Sequence, residues 1–377
     1  MDSVRLPAGP VVLRRHRDAD IDGVLDQCDD PASQRWTTIP IPYRREHAEE
    51  YVRERIPSGW SRGDYLALAI ADASTDEYLG TINLRVDGTG AGGIGFGLRA
   101  SARGKGAMTA AVRAACGWAF ASDGLGLGVI HWQSHVGNWP SRKVAWRTGF
   151  RLEGAIRGFC VSRGKRYDGW IGSLRAQDPR EPAAPWYDVP VLRSDACVLR
   201  PFRTSDVDAV VEGCADPVTQ RWLGGLPTPY TAGDALGYIQ SREEEHASGR
   251  GIYWALGDPV SDECIGSFGL MGVERTTGTA EIGYWVHPKA RGRGVATAAT
   301  RLVVRHAAIA TEDGGIGLRR LTLRAAVTNA ASAKVAERAG FVASGRARAA
   351  ERLGDGTYED LIAFDLLTSE LPTDAEW

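Results

Sequence analysis

Two decapeptides, ARGKGAMTAA at residues 102–111 and ARGRGVATAA at residues 290–299, set glycines and basic side chains just ahead of an alanine-rich run. A glycine loop that opens a helix gathers amides with no acceptor inside the helix, and the helix dipole adds partial positive charge at the same place. Phosphate is the natural occupant, because glycine lets an anion approach the backbone closely. Arg291 and Arg293 in one copy add full charges and fork-shaped donors, and Arg103 and Lys105 stand in the same places in the other. The plain alternative is a helix start with solvated basic side chains. A nucleoside triphosphate loop of the GxxxxGK[ST] kind is excluded, since Gly104-Lys105 is followed by Gly106 and Gly292-Arg293 by Gly294. A GxGxxG match at Gly88, Gly90 and Gly93 opens no helix and has no equivalent in RTTGTAEIG of the second half, so it reads as a turn.

The repetition extends beyond the loop. At a shift of 186 residues Cys28 falls on Cys214 and Gln34-Arg35-Trp36 on Gln220-Arg221-Trp222; small insertions raise the shift to 191, where NWPSRKVAWRTGF meets NAASAKVAERAGF. A duplicated domain explains this, and 377 residues are more than one core usually supports. The segment DPREPAAPWYDVP, residues 178–190, carries four prolines and reads as the linker, giving domains at 1–177 and 191–377. EIGYWVHP and LTLRAAV have the composition and alternation of strands, and a long helix is expected from Val295, so each half reads as α+β or mixed α/β.

Composition narrows the partners. Hydrophobic residues make up 43% and charged residues 24%, and the net charge of −2 supplies no field for nucleic acid or an anionic membrane. No run of about 18 apolar residues occurs and the first residues lack an apolar signal core, so a cytoplasmic protein is expected. Cys28, Cys116, Cys160, Cys197, Cys214 and Cys264 are scattered without CxxC spacing, which argues against a metal or disulfide framework and for packing. Of twelve tryptophans, Trp36, Trp132, Trp139, Trp170, Trp222 and Trp285 stand where a substrate could reach, although core packing is the commoner use.

The order strand, R-x-x-G-x-A loop at Arg291, Gly294 and Ala296, long helix, strand, N-x-x-S at Asn329 and Ser332, and A-G-F resembles the GNAT acyltransferase superfamily. The likeness is strongest to its ribosomal-protein alanine acetyltransferase type, through AEIGYW, GRGVATAA and AERAGF, and it spans nearly the whole of each half. It implies two tandem domains, each a mostly antiparallel twisted sheet flanked by helices, with acetyl-CoA as co-substrate. By that resemblance the amides from Gly292 through Arg293, Gly294, Val295 and Ala296 to Thr297 cradle the pyrophosphate, Asn329 bonds the pantetheine arm, and the backbone at Trp285 and Val286 orients the thioester. Arg103, Gly104, Lys105, Gly106 and Asn138 are the equivalents in the first half. The acceptor is an amine, either a protein N-terminus or a small molecule; no nucleic acid or membrane partner is implied, and a homodimer stays open.

Acetyl transfer to an amine needs a base for the ammonium, polarisation of the thioester carbonyl and a proton for the departing thiolate. Glu281, on the strand before the loop, is the best-placed base, with a salt-bridged strand carboxylate as the alternative. Ser332 is the proton donor that the resemblance implies, its alternative being a helix cap, and Tyr284 is a second donor whose alternative is core packing. The first half departs from the pattern. Gly93 stands for Glu281, GFG for GYW, and Met108 for Ala296, where a long side chain is expected to crowd the loop; His131 and His135 share a strand face and are candidate bases. The second half therefore reads as catalytic and the first as degenerate, against the alternative that the whole chain is a non-catalytic CoA-binding or regulatory protein.

Overall fold

The computed structural model describes residues 4–371. The chain divides into two compact units, residues 1–183 and 184–377. The first contains β1 (Arg5–Ala8), β2 (Val11–Arg14), α1 (Ile21–Asp29), α2 (Pro31–Trp36), α3 (Arg45–Glu50), α4 (Ile56–Arg62), β3 (Tyr65–Asp72), β4 (Tyr78–Val86), β5 (Ala91–Leu98), α5 (Ala107–Phe120), β6 (Val129–His135), α6 (Trp139–Arg147), β7 (Arg151–Ser162) and β8 (Lys165–Arg175). The second contains β9 (Leu192–Arg193), β10 (Val198–Arg200), α7 (Val207–Ala215), α8 (Pro217–Trp222), α9 (Ala232–Ala247), β11 (Gly251–Gly257), β12 (Cys264–Glu274), β13 (Thr279–Val286), α10 (Val295–Ala308), β14 (Arg320–Ala326), α11 (Ala330–Arg338), β15 (Val342–Arg352) and β16 (Tyr358–Leu367).

Each unit is built on an eight-stranded sheet, in the orders β1-β2-β3-β4-β5-β6-β8-β7 and β15-β16-β14-β13-β12-β11-β10-β9. Neighbours pair antiparallel except β5 with β6 and β13 with β14, which run parallel. A parallel neighbour needs a crossover, and α5 and α10 supply it. The inner face of α10 presents Val295, Ala299, Val303, Val304 and Ala307 to Ile282, Leu321 and Leu323, all buried. That stripe recurs at helical spacing, and its alanines let the helix lie close to the sheet.

The duplication is also written in a buried ion pair. Arg14 grips Asp20 through two bonds of 2.8 and 2.9 Å and Asp76 at 3.0 Å; Arg200 grips Asp206 through two bonds of 2.8 Å and Asp262 at 2.8 Å. Both arginines are almost fully buried, and both pull the turn before the first helix onto the sheet. The proline-rich segment 178–190 has no helix or strand, but it is not free chain. Pro179 and Arg180 lie against Gly149, Tyr187 donates to the His246 carbonyl, and Trp254 bonds the Pro190 carbonyl.

Candidate active site

In the second unit β13 and β14 pair over only three residues, Thr279–Arg320, Ala280–Leu321 and Glu281–Thr322, after which no partner joins them. On its other side β13 stays paired to β12 up to Val286, and the His287 amide donates to the Ile265 carbonyl at 2.9 Å. In an antiparallel ladder every second residue exchanges bonds with its partner, so counting back from His287 commits the backbone of Trp285 and Gly283 to β12. The amides of Tyr284 and Val286 and the carbonyl of Tyr284 face the gap instead, the Val286 carbonyl being taken by Arg291. Trp285 is thereby corrected as a source of gap-facing backbone groups. Its ring is buried against Gly213 of α7, where a Cβ would sit 2.2 Å from the indole.

Beyond the gap the chain makes the glycine loop. Gly292 and Gly294 adopt φ of +73° and +78°, left-handed conformations that side chains resist, and open space lies where their Cβ atoms would be. Gly294 caps α10 without a side-chain partner, and the first internal bond runs from Ala298 to its carbonyl at 3.1 Å. The amides of Val295, Ala296 and Thr297 therefore have no acceptor within the helix. Arg291 does a different job from the phosphate ligand expected of it. Its guanidinium donates to the Val286 carbonyl (3.0 Å), Asp216 (2.6 Å) and Thr219 (2.7 Å), which pins the loop to the start of α8. Arg293 points outward, its nearest carboxylate being Asp258 at 3.9 Å.

Two groups of side chains flank the gap from opposite faces, as a spacing of three along a strand requires for Tyr284 and Glu281. On the α10–α11 face the Tyr284 hydroxyl meets the Ser332 hydroxyl at 3.0 Å, and the tyrosine ring stacks on Phe268. Burial pushes the Tyr284 phenol up to about 12, so it keeps its proton at neutral pH. Asn329 accepts from the Ser332 amide at 3.1 Å as the cap of α11, which leaves its carboxamide nitrogen available.

On the other face Glu281 accepts from Arg324 at 2.9 Å. The registers of β14 with β16 and β16 with β15 carry Glu351 onto this same face. Burial raises the Glu351 carboxyl above the ordinary glutamate value; Arg324 opposes the rise and Glu281 adds to it. Glu351 escaped the sequence reading because only cross-strand register brings it to Glu281, 70 positions away in the chain. The turn beyond Glu351 docks on the last turn of α8 and the chain just after it, through Gly354 to the Arg221 carbonyl (2.9 Å) and Arg352 to the Gly224 carbonyl (2.8 Å).

The first unit repeats the loop with different side chains around it. Gly104 and Gly106 have φ of +77° and +79°, Ala110 bonds the Gly106 carbonyl at 3.2 Å, and Arg103 donates to the Leu98 carbonyl, Asp30 and Ser33 as Arg291 does to its counterparts. Lys105 is exposed at the tip. Met108 does not crowd this loop, which corrects the expectation; it is buried with Ala111, Val112 and Ala115 in the core under α5. Matching positions in the two sheets put Gly93, Gln133 and Cys160 where Glu281, Arg324 and Glu351 stand, and Phe96 where Tyr284 stands. Asn138 caps α6 as Asn329 caps α11. His131 lies beside Gly93 and is exposed. His135 stacks on Tyr167 and meets Trp36 edge-on, and burial first, then Arg163, holds its pKa below the usual histidine value.

Among the described residues no cluster of His, Cys, Asp and Glu could hold a metal, and no helix is long and apolar enough to cross a membrane. The acetyltransferase (GNAT) domain family matches residues 11–151 and again residues 197–342. The chain is 36% identical over 100 residues to a ribosomal-protein-serine acetyltransferase of Escherichia coli (strain K12), a match covering 26% of this chain and 52% of that protein. It is 35% identical over 105 residues to YdaF of Bacillus subtilis (strain 168), covering 28% of this chain and 54% of the relative, so it spans about half the length of these curated proteins. Among solved structures, Mycobacterium smegmatis RimJ in complex with CoA-disulfide is 24% identical, with 50% of this chain and 91% of that one covered at a TM-score of 0.44. With two matched segments that together take in most of its length, this chain belongs to the GNAT acetyltransferase family, carrying the domain in tandem.

Proposed function

We propose that the second domain transfers an acetyl group from acetyl-CoA to a primary amine. The observation that carries this reading is the strand gap beyond Glu281, with a hydroxyl pair on one face and a carboxylate pair on the other. The amides from Gly292 to Thr297 fit a diphosphate, and the Asn329 carboxamide nitrogen, the gap-facing backbone of Tyr284 and the Val286 amide fit the amide-rich arm. Acetyl-CoA brings the activated acyl group.

The residues divide the proton work. Glu351, whose carboxyl burial raises above the ordinary glutamate value, takes the proton of the incoming ammonium, while Glu281 draws the cation in. The freed amine attacks the thioester carbon, and a gap-facing amide stabilises the charge that develops on the carbonyl oxygen. Ser332 donates to the departing thiolate and Tyr284 resupplies it; the second proton shed by the acylated nitrogen passes to water, from which Tyr284 regains its own. The name of the ribosomal-protein-serine acetyltransferase of Escherichia coli supports a protein amine as acceptor. The first domain reads as non-catalytic, because neutral Gly93, Gln133 and Cys160 replace the charged cluster.

The test follows thiol release from acetyl-CoA against a panel of peptides with free N-termini and small amines. The reading expects acceptor-dependent release that the double variant Glu281→Gln, Glu351→Gln abolishes. Release that is unchanged in the double variant would remove the proposed base, and no release with any amine would count against the transferase reading.

A further inference from the structure

The two domains differ where the acyl arm has to run, between the start of α6 or α11 and the neighbouring strands. In the second domain that place is lined by small or slender side chains. Ala330 is exposed, Ala333 and Ile362 are partly open, and Leu323 lies beneath them. The first domain has Trp139, Arg142, Trp170 and Trp132 at the same positions of its helix and strands. The Trp139 and Trp170 rings are 4.6 Å apart, and the Arg142 guanidinium sits 4.6 Å from Trp170 and 5.2 Å from Trp139. Trp132, Trp170 and Arg142 are 2%, 2% and 5% exposed.

Two further differences act in the same sense. The Trp132 indole donates to the Ser141 hydroxyl at 3.0 Å, so the equivalent of Ser332 meets a group that cannot relay a proton from an acid. Parallel pairing of β5 with β6 also continues through Ile94–Trp132, one residue further than in the second domain, so the strands part later. We propose that the first domain has closed its acyl channel with its own side chains, so that each chain holds one acetyl-CoA and holds it in the second domain. The inference rests on acetyl-CoA being the donor, as read above. It assigns the unchanged loop at Gly104–Gly106 no acyl donor of its own.

Native mass spectrometry and calorimetry on the full chain with acetyl-CoA test it. The expected result is one molecule per chain, with affinity lowered at least tenfold by Gly294→Val and unchanged by Gly106→Val. Replacing the plug with the second domain's residues, Trp139→Ala, Arg142→Ala and Trp170→Ile together, is expected to create a second binding event. Two molecules on the wild-type chain, or loss of binding through Gly106→Val with Gly294→Val silent, would overturn the proposal. A folded triple variant that still binds one molecule would overturn the role of these side chains. If the triple variant does not fold, the wild-type count and the glycine pair decide. Absence of binding altogether would refute the donor assignment itself and the proposal with it, a result distinct from a count of two.

Discussion

Glu351→Gln separates a catalytic carboxyl from a structural one. The substitution keeps shape and removes only the ability to take a proton. A positioned base contributes about 100- to 10,000-fold to rate. Glu281 remains nearby in the variant but is held by Arg324, so the loss should fall at the lower end, about 100-fold in kcat, or about 2.7 kcal/mol of barrier. The folded state should not suffer. Burial raises the Glu351 carboxyl, so the native chain binds that proton more tightly than the unfolded chain, and the associated stability is lost as pH rises above the ordinary glutamate value. Above that value burial disfavours the ionised group, and the neutral amide should leave Tm unchanged or slightly higher. The assay is a pH profile of thiol release. The wild-type rate should climb with pH as Glu351 ionises; Glu281→Gln, which removes a negative neighbour, should move the climb to lower pH, and Arg324→Gln should move it higher. A variant with unaltered kcat, or profiles displaced in the opposite directions, would refute the assignment of the base.

Other consequences can be checked separately. Tyr284→Phe, which copies the Phe96 of the first domain, should lower kcat about tenfold or more while leaving KM for acetyl-CoA nearly unchanged, since Ser332 loses its proton relay; steady-state kinetics would show it. Arg200→Met leaves Asp206 buried without its cation and should cost about 3–5 kcal/mol in denaturant unfolding, with Arg14→Met doing the same to the first domain. Gly213→Ala forces a Cβ into the Trp285 indole and should destabilise by about 1–3 kcal/mol, visible as a lower Tm.

Much of the architecture was legible in the chain. The twin decapeptides gave the two domains and the helix-opening loops, and the strand composition of EIGYWV marked the edge of the gap. What the sequence hid is direction. Met108 turns inward because it falls on the stripe Met108, Ala111, Val112, Ala115 and Cys116, a spacing open to inspection once the helix phase is fixed. Arg291 looked free because its side-chain acceptors, Asp216 and Thr219, lie some seventy residues earlier, at the start of α8. Trp285 and Tyr284 are adjacent, and only the ladder to β12 decides which of them offers its backbone to the gap. Glu351 is invisible for the same reason, since neither period nor motif ties it to Glu281. Sequence pattern specifies elements and faces; the register between distant strands assembles the site.

The position of the donor in the second domain decides the role of every site residue named above. A crystal structure of the full chain with acetyl-CoA is predicted to show the diphosphate on the amides of Gly292 to Thr297 and the thioester in the gap beside Tyr284, its sulfur within reach of the Ser332 hydroxyl. Density for the donor outside that gap, with β13 and β14 closed together beyond Glu281, would contradict it.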